Sequence, residues 1–341
     1  MQRSVAPATS AVPVGYLQQR SVMVAFEPLE LLFDTRLQPH DVATRHQQCA
    51  IVRGEYGART GCHDHASVLA AVVDRRGLAL AKARLALEFE HGGDADAAAS
   101  DDSGIAWLQG DLSDPASLDG LPPGLTQMVY LPTPDHRDEA AYRRIFVDGL
   151  RNVLRAAGTT DLQRVLFVSS SAVYGEHHGD WVDETTPAQP YGFNGEVLLE
   201  AEQLLANQPM TSIVLRLAGL YGPGRLQLLD RLREGRAKVP RASTHWANRM
   251  HTEDAAAAIV HLLQLVDPLP LYIGADDTPL PLDVLYDALA KLIGAAAPPD
   301  GSAPAGIGSK RLSSARLRES GFVAQWPDSR RGYAALLALQ A

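Results

Sequence analysis

Between residues 105 and 217, short runs of uninterrupted apolar residues alternate with amphipathic stretches three times over. Val-Leu-Phe-Val at 165–168 and Ile-Val-Leu at 213–215 have no polar residue on either face. Strands apolar on both faces belong inside a sheet covered by helices on both sides. Strands separated by helical segments read as βαβ units, so the pattern predicts an α/β fold with a doubly wound parallel sheet.

The spacing places strands at 105–109, 127–131, 164–168, 211–217 and 271–274. Helices are predicted over 139–157, 192–207, 226–234, 254–265, 282–292, 313–319 and 329–339, by apolar periodicity and by glycine and proline stops. A helical stripe is also expected over 64–76, stopped by Gly77. Residues 1–48 show no sustained period and form a poorly specified N-terminal segment, while 92–104 is an acidic low-complexity loop. The organisation expected is a nucleotide-binding domain over 49–220 and a smaller lobe over 221–341, interleaved with it and closing over the carboxyl edge of the sheet.

A net charge of −9 disfavours a general affinity for nucleic acid or anionic membranes. No run approaches the ~20 apolar residues of a membrane span, and the N-terminus lacks the apolar core of a secretory signal. Two cysteines are too few for a disulfide framework, which suits a reducing, cytoplasmic setting. Cys62-His63-Asp64-His65 packs its donors too tightly for the usual zinc spacings, so no metal site is expected.

Several stretches carry chemistry. Gly54 and Gly57 follow the apolar run 50–52, where they could let a pyrophosphate approach backbone N–H groups or simply make an ordinary turn. Asp111 sits at a strand end, and so does Ser170, which lies four residues before Tyr174. Tyr191 heads a helix. Arg216 and Arg225 flank a Tyr-Gly-Pro-Gly turn, where each could meet an anionic group or, respectively, close a salt bridge and face solvent. His251 could titrate near neutrality or order its loop with Asp254.

Taken in order, Gly110-Asp111-Leu112-Ser113-Asp114, Ser169-Ser170-Ser171-Ala172-Val173-Tyr174-Gly175, Asp183-Glu184-Thr185-Thr186-Pro187, residues 216–225, residues 248–254 and Lys310-Arg311-Leu312-Ser313 form a recognisable series. From about residue 50 to the C-terminus the chain resembles the extended short-chain dehydrogenase/reductase superfamily of NAD-dependent epimerases and dehydratases, and within it the atypical subgroup that loses active-site residues.

The resemblance implies a Rossmann-like fold binding NAD or NADP, with Gly54, Gly57, Asp111, Leu131, Thr133 and Ala218 along the dinucleotide. Ser170 and Tyr191 would handle the proton, and Arg216, Asn248, Arg249 and His251 would face a small-molecule substrate, a nucleotide sugar or another small polar carbonyl or hydroxyl compound. A homodimer is suggested by fold analogy alone.

The family's helical lysine, one turn after the tyrosine, would lower the tyrosine's pKa from ~10. Gly195 occupies that position here. The alternative is therefore a dinucleotide-binding sensor or interaction protein that does not turn over.

Overall fold

The computed structural model describes residues 50–54, 68–72, 106–121, 124–134, 136–304 and 306–338. Its strands, in chain order, are β1 (Ala50–Gly54), β2 (Val68–Val72), β3 (Ala106–Gln109), β4 (Gln127–Leu131), β5 (Arg164–Ser170), β6 (Trp181–Val182), β7 (Thr211–Leu217), β8 (Gly219–Tyr221), β9 (Trp246–Ala247), β10 (Arg249–His251), β11 (Leu271–Gly274), β12 (Leu280–Pro281) and β13 (Arg311–Leu312). Seven of them form one sheet in the order β11-β7-β5-β4-β2-β1-β3.

Within that sheet β4, β5, β7 and β11 run parallel, as do β1 and β3, whereas β2 is antiparallel to both β1 and β4. All strands except β2 therefore point the same way. The ends at Gly54, Gln109, Leu131, Ser170, Leu217 and Gly274 share one edge, where ligands of open α/β sheets lie.

The expected helix over 64–76 is overturned at its centre, which is β2. Val-Leu-Ala-Ala-Val is short enough to suit either period, and hydrogen-bonding neighbours on both sides decide in favour of strand. Gly57, Cys62-His63-Asp64-His65 and the stretches 1–48 and 78–104 lie outside the described residues.

The expected helix 139–157 is continuous but not uniform. It runs as α1 (Glu139–Tyr142), a π-helical segment Arg143–Gly149, and α2 (Leu150–Ala157). The Asp138 carboxylate caps its start, accepting from Ala141 N at 2.8 Å. Midway, the hydroxyl of Tyr130 on β4 donates to the Ile145 carbonyl at 2.6 Å. A side-chain donor inserted into the ladder is a recognised cause of such a local widening. The remaining helices are α3 (Phe193–Ala206), α4 (Gln227–Arg233), α5 (Thr252–Gln264), α6 (Leu282–Leu292), α7 (Ala315–Glu319) and α8 (Ser329–Ala338).

Two apolar cores result. The larger packs β4, β5 and β7 against the π segment, α3 and α5, around Tyr130, Phe167, Leu215 and Ile259. The smaller gathers Tyr221, Leu229, Leu285, Leu289 and Tyr333 from β8, α4, α6 and α8. Two short parallel ladders, β10 beside β8 and β13 beside β6, lie outside the main sheet. Among the described residues no helix is long and apolar enough to cross a membrane.

Candidate active site

The two serines that end β5 have opposite fates. Ser169 turns inward, and its hydroxyl donates to Glu202 of α3 at 2.6 Å. The same carboxylate receives Arg216 Nε at 3.0 Å and Nη2 at 2.6 Å, and the guanidinium lies 4.8 Å from the Tyr174 ring centre. All of this is buried, so Arg216 is spent on Glu202 within the protein. Ser170, half-buried, borders open space. Its Oγ accepts Ala172 N at 3.2 Å, and its own proton is available to a ligand oxygen.

That space is a cleft of about 610 Å³ between the carboxyl ends of β5 and β7 and residues from Arg225 to Lys310. Ser170, Ser171, Ala172, Gly175, Ala218 and Gly219 form its sheet side. Arg137, Arg225, Arg231, Arg249 and Lys310 supply positive charge beside His245, and no carboxylate is among the described lining residues. Burial lowers the pKa of Arg225 and of His245, the latter against a raising influence from Glu176. Arg249 Nε is buried without a hydrogen-bond partner among the described residues.

Lys310 is the deepest of these cations, 4% exposed. Its Nζ donates to the carbonyls of Gly175 at 3.0 Å and Gly308 at 3.3 Å, and no carboxylate pairs with it among the described residues. Burial pulls its pKa down to about 8, with Glu176 opposing.

The backbone around it is clamped from several sides. Ser309 N donates to Glu176 at 2.9 Å, Arg311 N to Asp180 O at 2.9 Å, and Leu312 N to Asn248 Oδ1 at 2.8 Å. Asn248 Nδ2 donates to Lys310 O at 2.9 Å. The Arg311 guanidinium sits over both Trp181 and Trp246, 5.0 and 4.9 Å from their ring centres. Gly308 rests directly on the Gly175 backbone, and any side chain there would collide with it.

The residues expected at the site are thus divided. Ser170, Ala218, Asn248 and Arg249 share the cleft, although Asn248 spends its amide on the 310–312 backbone. Tyr191 is 68% exposed just before α3 and is not among the lining residues. His251 is 1% exposed and is not among the lining residues. It caps α5 by accepting Glu253 N at 3.2 Å and packs between Tyr221 and Trp326, and burial lowers its pKa against the pull of Glu253.

Asp111 accepts both Ser113 N at 2.8 Å and Ser113 Oγ at 2.7 Å, which holds the turn after β3. Gly54 closes β1 opposite Val68, and Leu131 and Thr133 follow at the end of β4. Lys310, His245, Arg137 and Arg231 are ionisable lining residues not named as site candidates from the sequence. The signal available for Lys310 was its place in the Lys310-Arg311-Leu312-Ser313 series.

Comparison with known proteins bears on the whole arrangement. The model of the NAD dependent epimerase/dehydratase family matches residues 67–272. The protein YeeZ of Escherichia coli K12 is 32% identical over 222 residues, which are 64% of this chain and 77% of YeeZ. A solved structure from Methylobacillus flagellatus, named only by family as an NAD-dependent epimerase/dehydratase, is 38% identical with a TM-score of 0.57, covering 67% of this chain and 82% of that one. DesIV, a dTDP-glucose 4,6-dehydratase from Streptomyces venezuelae solved with NAD bound, shares the fold at 19% identity and a TM-score of 0.59, over 67% of this chain and 77% of its own.

Proposed function

The chain belongs to the NAD-dependent epimerase/dehydratase family, and on that premise we propose that it is an NAD(P)-dependent oxidoreductase acting on a nucleotide sugar or another small polar carbonyl or hydroxyl compound. The observation that carries the reading is the charge of the cleft: five Arg and Lys side chains and a histidine line it, with no carboxylate among the described lining residues, at the carboxyl edge of the sheet. A lining rich in cations and free of carboxylates among its described residues suits a ligand that brings phosphates.

The residues present fit a dinucleotide. Small residues at Ala172, Ala218 and Gly219 line the cleft, and Arg249 holds a buried donor with no acceptor among the described residues. Gly54, Asp111, Leu131, Thr133 and Ala218 would hold the dinucleotide along the sheet edge. When bound, it supplies the acceptor and donor of a hydride. Ser170 holds the reacting oxygen through its hydroxyl proton, and the cationic wall binds the substrate's anionic part. Asn248 keeps the 310–312 segment, and so that wall, in place.

Titration with NAD(H) and NADP(H), followed by nicotinamide fluorescence and thermal shift, tests this. Saturable binding that raises the melting temperature is expected, and no stabilisation by any of the four would defeat the reading. The exposure of Tyr191 and the glycine at 195 favour a second reading, a dinucleotide-binding sensor. Stabilisation without turnover across a carbonyl and nucleotide-sugar panel would support it.

A further inference from the structure

We propose that Lys310 is a catalytic residue of this cleft, its amine exchanging a proton with the reacting oxygen of the bound hydroxyl or carbonyl compound. The inference rests on the oxidoreductase reading above and names the group that reading lacks.

Three observations carry it. Lys310 lines the cleft while 96% of it is withdrawn from solvent, and backbone carbonyls are its hydrogen-bond partners among the described residues. An ammonium buried without a counter-charge costs several kcal/mol unless something else offsets it. Its position is also fixed: the residues on either side are tied to Glu176, Asp180 and Asn248, and the Gly308–Gly175 contact sets the depth of the segment. Finally, the place of the family-type cation is closed. A Cβ at residue 195 would stand 2.6 Å from the Ala172 carbonyl oxygen and 3.0 Å from Pro190 Cβ, and Tyr191, 68% exposed, is not among the lining residues.

The step balances. When a hydroxyl compound is oxidised, the neutral amine takes the O–H proton while the C–H electron pair leaves as hydride to the dinucleotide. In reduction, the ammonium returns the proton to the forming alkoxide. A pKa lowered to about 8 makes both forms available near neutrality, as such a role requires. Glu176, from the loop after β5, holds the charged form, while His245 and the cleft arginines Arg225 and Arg249 face the same space from the second lobe.

The test begins without substrate. The chain has four lysines, Lys82, Lys238, Lys291 and Lys310. Competitive acetylation with acetic anhydride between pH 6 and 10, read by peptide mass spectrometry, follows each of them in the folded protein. Lys310 is expected to react with a midpoint near 8. Inertness until denaturation, or the profile of an ordinary lysine at about 10.4, overturns the proposal.

Lys310→Met and Lys310→Arg are then compared with wild type. Both should keep NADH or NADPH affinity within about threefold and lose turnover by about a hundredfold or more, since arginine cannot release its proton. Retained turnover in Lys310→Arg overturns the role, and so does a wild type that binds dinucleotide but turns over nothing in the panel. A wild type that binds no dinucleotide defeats the oxidoreductase reading instead, whatever the acetylation profile shows.

Discussion

Gly195 packs against the Ala172 carbonyl so closely that a side chain's first carbon would sit 2.6 Å from that oxygen. The contact joins the first turn of α3, just after Tyr191, to the serine-rich turn after β5, which follows Ser170. The position that the family resemblance reserves for a lysine is here a backbone-to-backbone contact.

Gly195→Ala should therefore destabilise the fold although alanine is the better helix former. Overpacking of this kind costs about 1–3 kcal/mol, against ~1 kcal/mol gained in helix propensity. Urea unfolding measures the balance. Gly195→Lys should unfold at still lower urea and should not raise turnover. An active, stable Gly195→Lys would show that the turn can yield.

Removing one partner of the buried pair, as in Glu202→Gln or Arg216→Met, leaves a charge or donor stranded and should cost about 3–5 kcal/mol. Replacing both by Met and Leu should cost much less. A double-mutant cycle by chemical denaturation checks this, and additive losses would mean that the two residues act separately.

Lys310 should make stability depend on pH in a particular direction. Its folded pKa, about 8, lies below the unfolded value of about 10.4, so the folded state resists the charged form. The penalty is complete below pH 8 and fades as pH rises toward 10.4, on the order of 3 kcal/mol in all. The difference in unfolding free energy between wild type and Lys310→Met should accordingly shift in favour of wild type between pH 7.5 and 10. A difference independent of pH would contradict the burial.

Asn248→Ala should loosen the same lysine from a distance, since Asn248 grips the backbone at Lys310 and Leu312. Two stranded partly buried groups cost about 1–3 kcal/mol each. The acetylation profile of Lys310 should move toward that of an ordinary lysine. An unchanged profile would show that the other clamps suffice.

Arg249→Ala should weaken NADPH or inorganic pyrophosphate binding about tenfold, an effect that shrinks as salt is added. Calorimetry at two ionic strengths reads both quantities.

The parts of the chain that could be read locally were read well. Gln127–Leu131, Thr211–Leu217, Leu271–Gly274 and Leu282–Leu292 have the limits that apolar period and flanking glycine or proline suggest. Val68–Val72 was not legible, because five apolar residues satisfy both periods and the choice is made by strands β1 and β4. The place of the cleft was legible where a residue's position at a strand end puts it on the lining, as for Ser170. Lys310 was opaque for the opposite reason: its partner Gly175 is 135 residues away, and nothing near position 310 announces the burial. Tyr191 carries the right neighbours in sequence, but sequence does not say which way a residue before a helix faces.

Among the described residues, the antiparallel β2 is the only strand that joins the β1–β3 pair to the rest of the sheet. The lip on which Asp111 and Ser170 stand is therefore hinged at a single seam, and roughly 19 Å of strand ends separate the first from the last at about 4.8 Å per strand. A long ligand touching both would bridge the seam like a stitch, so holding it and holding the sheet together become one free energy shared between protein and guest.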